Sequence, residues 1–504
     1  MLDHKDSRPR LGHPRNRSLR GQALSRRGRL TLLGFVVSLG LVAAVPVIAP
    51  RVETALRSMA SNVAGQEVAA NSTAGFYGEA TGVVAPEPLF SRLPVGMDNE
   101  VYAYADEPTG SRSSGVTFAS ATSDPFAAPR LVEVVPAPID RPELVGPLRV
   151  EYSLDAELTK AVLKILRAAR VERGHVIVLD PSTGRVLAYV STDPESFPPT
   201  RAYPAASLIK VVTANAVLET SPARAKRPCR FRGSPYKLTR SRLKQPKSGR
   251  EVSLEVALAT SNNQCFAQFA VNDVGSLGML NALDEFGWLS QSGPGHDAGA
   301  VELGGTDYDL GKLGCGLAGC RITPLHAARL AATLATGVSV EPWWVDRVTD
   351  ARGNELSRPA STPQKRVLSP ARAQELRQMM VRTTTRGTAR GAFRDRRGRP
   401  RLGSIKVAGK TGNLSGREPN GRYEWFIAAA PAEAPTIAIA VVQVHGHLWW
   451  KKSSEIAADV LSDVFCEGRR CSPALANRFT GKLGSPSAAM FLSEDGRTTD
   501  NGGD

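Results

Sequence analysis

The chain has 504 residues, of which 42% are hydrophobic and 22% are charged, a balance typical of a globular protein with room for two or three domains. Its formal net charge is +16, but residues 1–29 contain nine Lys or Arg against two Asp and so hold +7 of that charge. Because much of the excess lies in one terminal segment, the charge gives little reason to expect a nucleic acid partner.

Residues 30–50, "LTLLGFVVSLGLVAAVPVIAP", carry no charge. About 20 apolar residues span a bilayer core, and a basic flank stays in the cytoplasm. The sequence therefore predicts a cytoplasmic tail over 1–29 and a single-pass anchor over 30–50 in the cytoplasmic (inner) membrane, with the rest extracytoplasmic. A cleavable signal peptide is the alternative, since "VAA" at 42–44 offers small residues for a peptidase, and "SRRGRL" faintly resembles a twin-arginine signal.

Six cysteines in an exported chain form an even set in a compartment that permits disulfides. The sequence does not choose among the fifteen possible pairings. Cys315 with Cys320 and Cys466 with Cys471 are close enough along the chain to close short loops, which would leave Cys229 for Cys265. A metal site is not expected, because there is no C-x-x-C and His445 and His447 lack a third ligand nearby.

The periodicity of apolar residues divides the chain. Residues 51–147 are rich in Pro, Ala and Ser without sustained periodicity, which predicts an extended or disordered tether. Order is expected from 148, where Ser153 or Asp155 can cap a helix, followed by a hairpin formed by "HVIVLD" and "RVLAYVS". From 207 to about 381 the spacing is mainly helical. Three strand patterns follow in "GSIKVAGKTG", "YEWFIAAAP" and "TIAIAVVQV", and then one helical pattern.

These elements predict an α/β (α+β) fold. Two strands before the helical region and three after it fit one five-stranded, mainly antiparallel sheet with the first and last helices against it, and an all-helical subdomain inserted between. The folded domain is expected over 148–471 and a disordered tail over 472–504. A cleft between sheet and subdomain is the natural place for a site.

Eleven Lys or Arg and no acid lie between Arg224 and Arg250. A solvated loop is one interpretation, and a surface for anionic lipid head groups or acidic polymers is the other.

The pattern S-x-x-K occurs three times, at Ser207, Ser234 and Ser241. Ser207 and Lys210 stand at the start of an apolar helical run, where residues three apart share a face and the amine can reach the hydroxyl. A serine hydroxyl needs such a base to act as a nucleophile. In the other copies a proline follows Ser234 and Ser241 lies in the basic run, so neither begins an apolar helix.

Two further motifs complete a set. Ser261-x-Asn263 is the only S-x-N in the chain, and Lys410-Thr411-Gly412 occurs once, at the end of a strand pattern. With Ser207-x-x-Lys210, in this order, they resemble the three-motif signature of penicillin-binding proteins and class A β-lactamases. The segments "VIVLDPSTGRVLAYVS", "ITPLHAARLAATLATG", "GTARG" and "WFIAAAP" look like parts of a transpeptidase domain, so the resemblance covers about 148–464.

The resemblance implies roles for these residues. Ser207 would attack a D-alanyl-D-alanine peptide and release D-alanine, with Lys210 as base. Ser261, helped by Lys410, would relay a proton to the leaving amine, and Asn263 would hold Lys210 or the substrate amide. The substrate-binding set would be Thr411, Gly412 and Asn413: Thr411 would bind the carboxylate, and backbone N–H groups of Ser207 and Asn413 would form the oxyanion hole.

One position departs from the family pattern: Asn413 stands where a Thr or Ser is more frequent. If only its backbone is used the change is harmless, and if its side chain faces the cleft it alters substrate or antibiotic preference. The E-x-x-L-N motif of class A β-lactamases is also missing after Ser261, and "EVAL" at Glu255 precedes the serine and lacks the asparagine. This favours transfer to an amine over rapid hydrolysis.

The resemblance as a whole implies a monofunctional, membrane-anchored peptidoglycan D,D-transpeptidase, inhibited by penicillin and other β-lactams. The region before 148 is too short and irregular for a glycosyltransferase domain, so a separate glycosyltransferase partner is expected. No cofactor and no metal are implied. The alternatives are a D,D-carboxypeptidase, or a sensor or scaffold that binds β-lactam or wall peptide without turnover.

Overall fold

A computed structural model describes residues 77–79, 116–119, 130–137, 142, 144, 146–199, 201–290, 298–359, 364–446 and 450–481. The predicted cytoplasmic tail (1–29) and anchor (30–50) lie outside the described residues. Among the helices of the described part, none combines the length and the apolar character that a membrane span requires.

The strands, in chain order, are β1 Tyr77–Glu79, β2 Val116–Ala119, β3 Arg130–Val135, β4 Leu148–Asp155, β5 Arg173–Leu179, β6 Val186–Ser191, β7 Tyr203–Pro204, β8 Cys229–Phe231, β9 Arg250–Val252, β10 Gly299–Val301, β11 Cys320–Ile322, β12 Val338–Val340, β13 Val345–Thr349, β14 Glu355–Pro359, β15 Gln364–Arg366, β16 Ala408–Arg417, β17 Asn420–Ala430, β18 Ile437–His445, β19 Cys466–Glu467 and β20 Arg470–Cys471.

The α-helices are α1 Ala156–Ala168, α2 Ile209–Thr220, α3 Pro222–Ala225, α4 Leu254–Ala259, α5 Asn263–Phe269, α6 Gly275–Glu285, α7 Asp307–Cys315, α8 Pro324–Thr336, α9 Pro370–Thr385, α10 Ser453–Phe465 and α11 Asn477–Thr480. Short 3₁₀ turns cover Ala206–Leu208, Arg240–Leu243 and Pro473–Ala476.

The central sheet has five strands in the order β16-β17-β18-β5-β6, and every neighbouring pair is antiparallel. Strand β6 is buried along its whole length, and β18 is buried except at His445. Continuous burial requires cover on both faces of the sheet, and helices α1, α8, α9 and α10 pack against it. The predicted five-stranded antiparallel sheet, with two strands from before the helical region and three from after it, is confirmed.

Helix α1 shows how the local sequence determines where a helix begins and which of its faces is buried. Asp155 is its N-cap, and the carboxylate accepts from the Leu158 N–H at 2.8 Å. Leu158, Val162 and Leu166 recur at helical spacing and are buried. The sequence left Ser153 and Asp155 open as caps, and Asp155 fills the role.

The region between β6 and β16 is mainly helical, but it is not all-helical as predicted. It also contains the small sheets β10-β11-β7, β8-β9 and β12-β15. These strands have two or three residues each, too short for apolar alternation to reveal them.

A second sheet was not expected from the sequence. Its order is β1-β14-β13-β4-β3-β2. Strand β3 pairs with β4 and lies before the predicted domain start at 148, within the segment interpreted as a tether. Tyr152 of β4 donates to the buried Glu133 carboxylate of β3 at 2.6 Å. The Pro- and Ala-rich sequence on either side of β3 shows no sustained apolar period, so this six-residue strand was not predicted.

The predicted disordered tail over 472–504 is wrong for its first residues. Residues 473–480 form a 3₁₀ turn and α11, and Ala476 and Phe479 are buried in the main core. The apolar residues of this stretch, "PALANRFT", fill too short a segment to show a helical period, so the sequence did not predict this.

Two disulfides join Cys229 to Cys265 and Cys466 to Cys471, as the short-loop reasoning suggested. Cys315 and Cys320 instead are free, buried thiols, so the third expected pair is wrong. Cys315 ends helix α7 and its Sγ lies 3.5 Å from the Lys312 carbonyl oxygen, whereas Cys320 belongs to strand β11. Sequence separation alone did not show that Cys315 belongs to a helix and Cys320 to a strand.

We expect denaturation without reductant to expose two alkylatable thiols. Iodoacetamide treatment followed by peptide mass spectrometry should modify Cys315 and Cys320 and leave Cys229, Cys265, Cys466 and Cys471 unmodified. Full protection of all six cysteines would show that the third disulfide forms and would contradict the structure.

Arg377 of α9 fixes the end of one helix to a turn of the central sheet. It is 8% exposed and donates to the carbonyls of Leu334 and Ala335 at the end of α8, and to that of Ala432.

We expect Arg377→Ala to lower the free energy of unfolding by about 2–3 kcal/mol, since buried carbonyls lose a charged donor. Gln378→Ala, at an exposed neighbour, should change it by less than about 0.5 kcal/mol. Urea denaturation of both variants tests this, and equal effects would contradict it.

Candidate active site

Ser207 lies in the turn that leads into α2, and its side chain is partly exposed. Helix α2 is buried from Ile209 to Leu218, which explains its nearly unbroken apolar run. The preceding residue, Ala206, has a φ of +48°, a left-handed conformation that is rare for a residue with a side chain. Such strain persists only where surrounding structure imposes it, and it tends to mark functional sites.

One glycine allows another chain segment to approach this turn. A Cβ at Gly316 would lie 1.9 Å from the carbonyl oxygen of Ala206, and φ at Gly316 is +74°. Glycine therefore permits the end of α7 to pass next to Ser207. The edge strand β16 also meets the turn, since a Cβ at Gly412 would be in ordinary contact with the Ala205 carbonyl oxygen and the Ala206 Cβ, at 3.4 Å.

Lys210 is completely buried and lies one helical turn after Ser207. Its Nζ is 2.6 Å from Ser207 Oγ, 2.7 Å from Asn263 Oδ1 and 2.6 Å from the Cys315 carbonyl oxygen. Burial lowers the pKa of Lys210 to about 8. A neutral amine has two N–H groups and one lone pair. Because Asn263 and Cys315 offer only acceptors here, they take the two N–H groups and leave the lone pair for the Ser207 hydroxyl proton.

Ser261 lies in the connection between α4 and α5, and Asn263 is the first residue of α5. Ser261 has a φ of +55°, and Asn262 caps α5 by accepting from the Cys265 N–H. Asn263 Nδ2 donates to the Tyr236 carbonyl at 2.9 Å, which orients its Oδ1 toward Lys210. The disulfide from Cys265 joins this helix to β8.

Lys410 extends from edge strand β16 toward the same place. It is completely buried, and its Nζ donates to Ser261 Oγ at 3.1 Å and to the Thr411 carbonyl at 2.7 Å. Burial, and then the positive charge of Lys210, lower the pKa of Lys410 well below its usual value. Two buried ammonium groups so close together repel, which favours states in which one of them is neutral.

Thr411 points to the opposite face of the strand from Lys410. Its hydroxyl lies 2.6 Å from that of Thr388, and the Thr388 N–H donates to the Ala259 carbonyl at 3.1 Å. The segment before β16 is thus tied to both α4 and the strand.

A cleft of about 440 Å³ joins these groups. Its lining includes five residues selected from the sequence motifs together with Asn413: Ser207, Ser261, Asn263, Thr411, Gly412 and Asn413. Sequence reasoning missed its other lining residues, Tyr236, Thr388, Arg422, Glu424, His445, Lys452 and Ser454. Of these, Thr388 lies in the segment "GTARG" that resembles the family, and His445 was considered in the sequence only as a metal ligand.

The other S-x-x-K serines lie outside the cleft lining. Ser234 and Lys237 belong to one turn, in which the Lys237 N–H donates to the Ser234 carbonyl, and Ser241 lies in a 3₁₀ turn. Glu255 is also elsewhere: it pairs with Arg382 at 3.4 Å and does not line the cleft. No cluster of three or more potential metal ligands occurs among the residues that the structure describes.

The arrangement places the Ser207 hydroxyl beside a buried amine, and a second serine hydroxyl beside a second buried amine. Comparison with known families identifies the domain that carries it. Residues 174–465, more than half of the chain, match the penicillin-binding protein transpeptidase domain. The chain belongs to this family.

Curated relatives are the peptidoglycan D,D-transpeptidases PbpA of Mycolicibacterium smegmatis and Mycobacterium tuberculosis. Each is 28% identical to this chain, over 326 and 315 residues, and each alignment covers 54% of this chain and 62% of the relative. The chain therefore matches less than two thirds of their length.

Solved structures share the fold. Penicillin-binding protein A from M. tuberculosis superimposes with a TM-score of 0.50 and 23% identity, covering 62% of this chain and 81% of that one. The D,D-transpeptidase domain of a peptidoglycan glycosyltransferase from Eggerthella lenta gives a TM-score of 0.51 and 22% identity, covering 66% and 84%. The five-stranded sheet with its helices is thus the transpeptidase fold of this family.

We expect the rate of acylation of this penicillin-binding protein by a β-lactam to rise with pH, with a midpoint near 8. Only the neutral amine of Lys210 accepts a proton, and its pKa is about 8. Below the midpoint the rate should fall about tenfold per pH unit, since the neutral fraction falls in that proportion. Stopped-flow acylation from pH 6 to 9.5 measures this.

The control is Lys210→Arg, which stays protonated across this range and should be slow without the same rise. A wild-type rate independent of pH over the range would contradict the assignment of Lys210 as base.

Proposed function

We propose that the chain is a peptidoglycan D,D-transpeptidase that acts through an acyl-enzyme on Ser207. The observation that carries the proposal is the buried Lys210 amine, which lies 2.6 Å from Ser207 Oγ while Asn263 and Cys315 occupy its N–H groups. A base with only its lone pair directed at the hydroxyl is what serine activation requires.

In the first half of the reaction Ser207 Oγ bonds to the carbonyl carbon of the penultimate D-alanine, and its proton passes to Lys210. The peptide C–N bond breaks, and the leaving D-alanine amine takes up a proton through Ser261, which lies within hydrogen-bonding distance of Lys410. In the second half an acceptor amine attacks the acyl carbon and gives up one proton through Ser261 toward Lys410, the bond to Oγ breaks, and Ser207 recovers its proton from Lys210.

The edge position of β16 supports a role in binding the substrate. An edge strand presents unpaired backbone groups to which an extended peptide can add. We assign the oxyanion hole to the N–H groups of Ser207 and Asn413 and the terminal carboxylate to Thr411. One such donor elsewhere contributes about 3 kcal/mol to transition-state stabilisation.

Transfer to an amine, rather than rapid hydrolysis, is favoured by the position of Glu255. This carboxylate is engaged with Arg382 and is absent from the cleft lining, so it does not hold a hydrolytic water there. Penicillin-binding protein A of M. tuberculosis has been solved as acyl-enzyme complexes with imipenem and penicillin G. By extension, β-lactams should acylate Ser207 here.

We further propose that the enzyme works outside the cytoplasmic membrane, held by residues 30–50, and depends on a separate glycosyltransferase for its glycan strands. The uncharged segment behind a basic flank supports the anchor. The disulfides Cys229–Cys265 and Cys466–Cys471 support an oxidising compartment.

We expect a fluorescent penicillin to label the wild-type chain covalently and Ser207→Ala to lose at least 99% of this label, because the substitution removes the nucleophile. Ser234→Ala and Ser241→Ala, in the two other S-x-x-K copies, are matched controls and should label like the wild type. Gel fluorescence and peptide mapping measure this. Undiminished labelling of Ser207→Ala, or an unlabelled wild type, would refute the proposal.

A pentapeptide donor then separates the alternatives. D-Alanine release with transfer to an added acceptor amine identifies a transpeptidase, and release with hydrolysis alone identifies a D,D-carboxypeptidase. Labelling by penicillin without any release of D-alanine identifies a sensor or scaffold.

A further inference from the structure

The cleft continues beyond Asn413 onto one face of the central sheet. Asn413 of β16 is paired in register with Glu424 of β17, and Arg422 of β17 with His445 of β18. Residues directly opposite each other share a face, as do residues two apart on one strand. Asn413, Arg422, Glu424 and His445 therefore lie on the same face as Thr411, and all five line the cleft. The charged side chains in this outer part of the cleft do not belong to any of the three sequence motifs.

The guanidinium group of Arg422 places a positive charge in this outer part of the cleft. Its Nε donates to Asn413 Oδ1 at 2.5 Å, and the side chain is exposed. Within the described residues no carboxylate forms an ion pair with it. Because Asn413 holds Nε, the two terminal nitrogens remain available, and a guanidinium binds a carboxylate through such a pair of donors.

Glu424 supplies the opposite charge two residues further along the same strand. Its Oε2 accepts from Gln443 Nε2 at 3.1 Å and from the Ser453 N–H at 3.2 Å, and lies 3.8 Å from His445 Nε2. These contacts fix the carboxyl group while its side chain remains 15% exposed. Oε1 makes no hydrogen bond with the described residues, so it can accept one from a ligand in the cleft.

The balance of charges selects the kind of ligand. Arg422 and Lys452 are positive and Glu424 is negative, with His445 beside it. A ligand with a lone ammonium would meet two cations, and a ligand with a lone carboxylate would meet Glu424. A group that carries both charges on one carbon, an amino-acid head group, can pair with Arg422 and Glu424 together.

The direction of the bound peptide places this group on the donor. In the proposed function the terminal carboxylate lies at Thr411 and the scissile carbonyl at Asn413. The direction from Thr411 to Asn413 along β16 is therefore the direction from the C-terminus toward the N-terminus of the bound substrate. The side chain of the residue that precedes D-alanyl-D-alanine lies beyond Asn413, toward Arg422 and Glu424.

We propose that Arg422 and Glu424 form a subsite for a zwitterionic side-chain end on the donor residue before D-alanyl-D-alanine. The substrate would carry a diamino dicarboxylic acid at that position, with ammonium and carboxylate on one carbon, rather than lysine. Asn413 is a positioning residue for Arg422. This inference rests on the proposed function for the direction of the peptide, and it names the substrate class.

The test compares two β-lactams with the same nucleus. Cephalosporin C has a side chain that ends in an ammonium and a carboxylate on one carbon, and its adipoyl analogue keeps the carboxylate on a chain of the same length and lacks the ammonium. Competition with a fluorescent penicillin gives the second-order rate constant for acylation of the full chain by each. We expect the wild type to prefer cephalosporin C at least fivefold, and Glu424→Gln to reduce the ratio to about 1.

Arg422→Gln should lower acylation by both compounds and also reduce the ratio, while Arg422→Lys should restore part of it. Arg417→Gln, at an exposed position of the same hairpin outside the cleft lining, is the matched control and should keep the wild-type ratio. Equal rates for the two compounds with the wild type, or an unchanged ratio in Glu424→Gln and Arg422→Gln, would overturn the subsite.

An equilibrium measurement separates this inference from the proposed function. Binding of the two compounds to Ser207→Ala, followed by ligand-observed NMR, needs no acylation. A fivefold or greater preference for cephalosporin C that Glu424→Gln removes would support the subsite even if the wild type failed to label with penicillin, and that failure would refute only the proposed function. Normal labelling without this preference would overturn only the subsite.

Discussion

The structure of the site depends on one buried amine. Lys210 has no exposed surface, and its Nζ is held by an amide oxygen from the start of α5 and a main-chain carbonyl from the end of α7. Moving a charged ammonium into such a place costs several kcal/mol, which is the physical cause of its lowered pKa. The same two acceptors that compensate this cost also decide the direction of the lone pair. Stability and reactivity are thus linked through one set of contacts.

Three segments far apart in the chain must meet for this amine to be held. Helix α2 carries Lys210, the start of α5 carries Asn263, and α7 ends with the Cys315 carbonyl. The Thr213 hydroxyl also donates to the Gly314 carbonyl at 2.8 Å, so α2 and α7 are joined twice. The left-handed backbone at Ala206 fits within this packing because Gly316 has no Cβ and so leaves room for the Ala206 carbonyl oxygen.

Side chains and backbone atoms differ in how well the sequence predicts them. The order of the three motifs, the hairpin and the three late strands could be recognised because they depend on residue type and period. The Cys315 and Tyr236 carbonyls that orient Lys210 and Asn263 could not, since every residue has a carbonyl group. Cys315 was singled out for its thiol, yet its main chain contacts the site while the thiol stays unpaired. Strand β3 pairs with the strands just before and after it along the chain, and it was missed because the Pro- and Ala-rich sequence around it shows no sustained apolar period.

Side chains of β16 alternate between the two faces of the sheet. For this reason the asparagine at position 413, which differs from the family pattern, leaves Lys410 and Gly412 undisturbed. Lys410 and Gly412 point to the face that meets Ser261 and the Ser207 turn, while Thr411 and Asn413 point to the other face. A change at 413 therefore acts on the outer face of the sheet, where the amide oxygen contacts Arg422. A threonine hydroxyl in its place is shorter and would not reach across to the next strand in the same way. The Asn413 side chain is thus engaged with Arg422, and its backbone keeps its position on the edge strand.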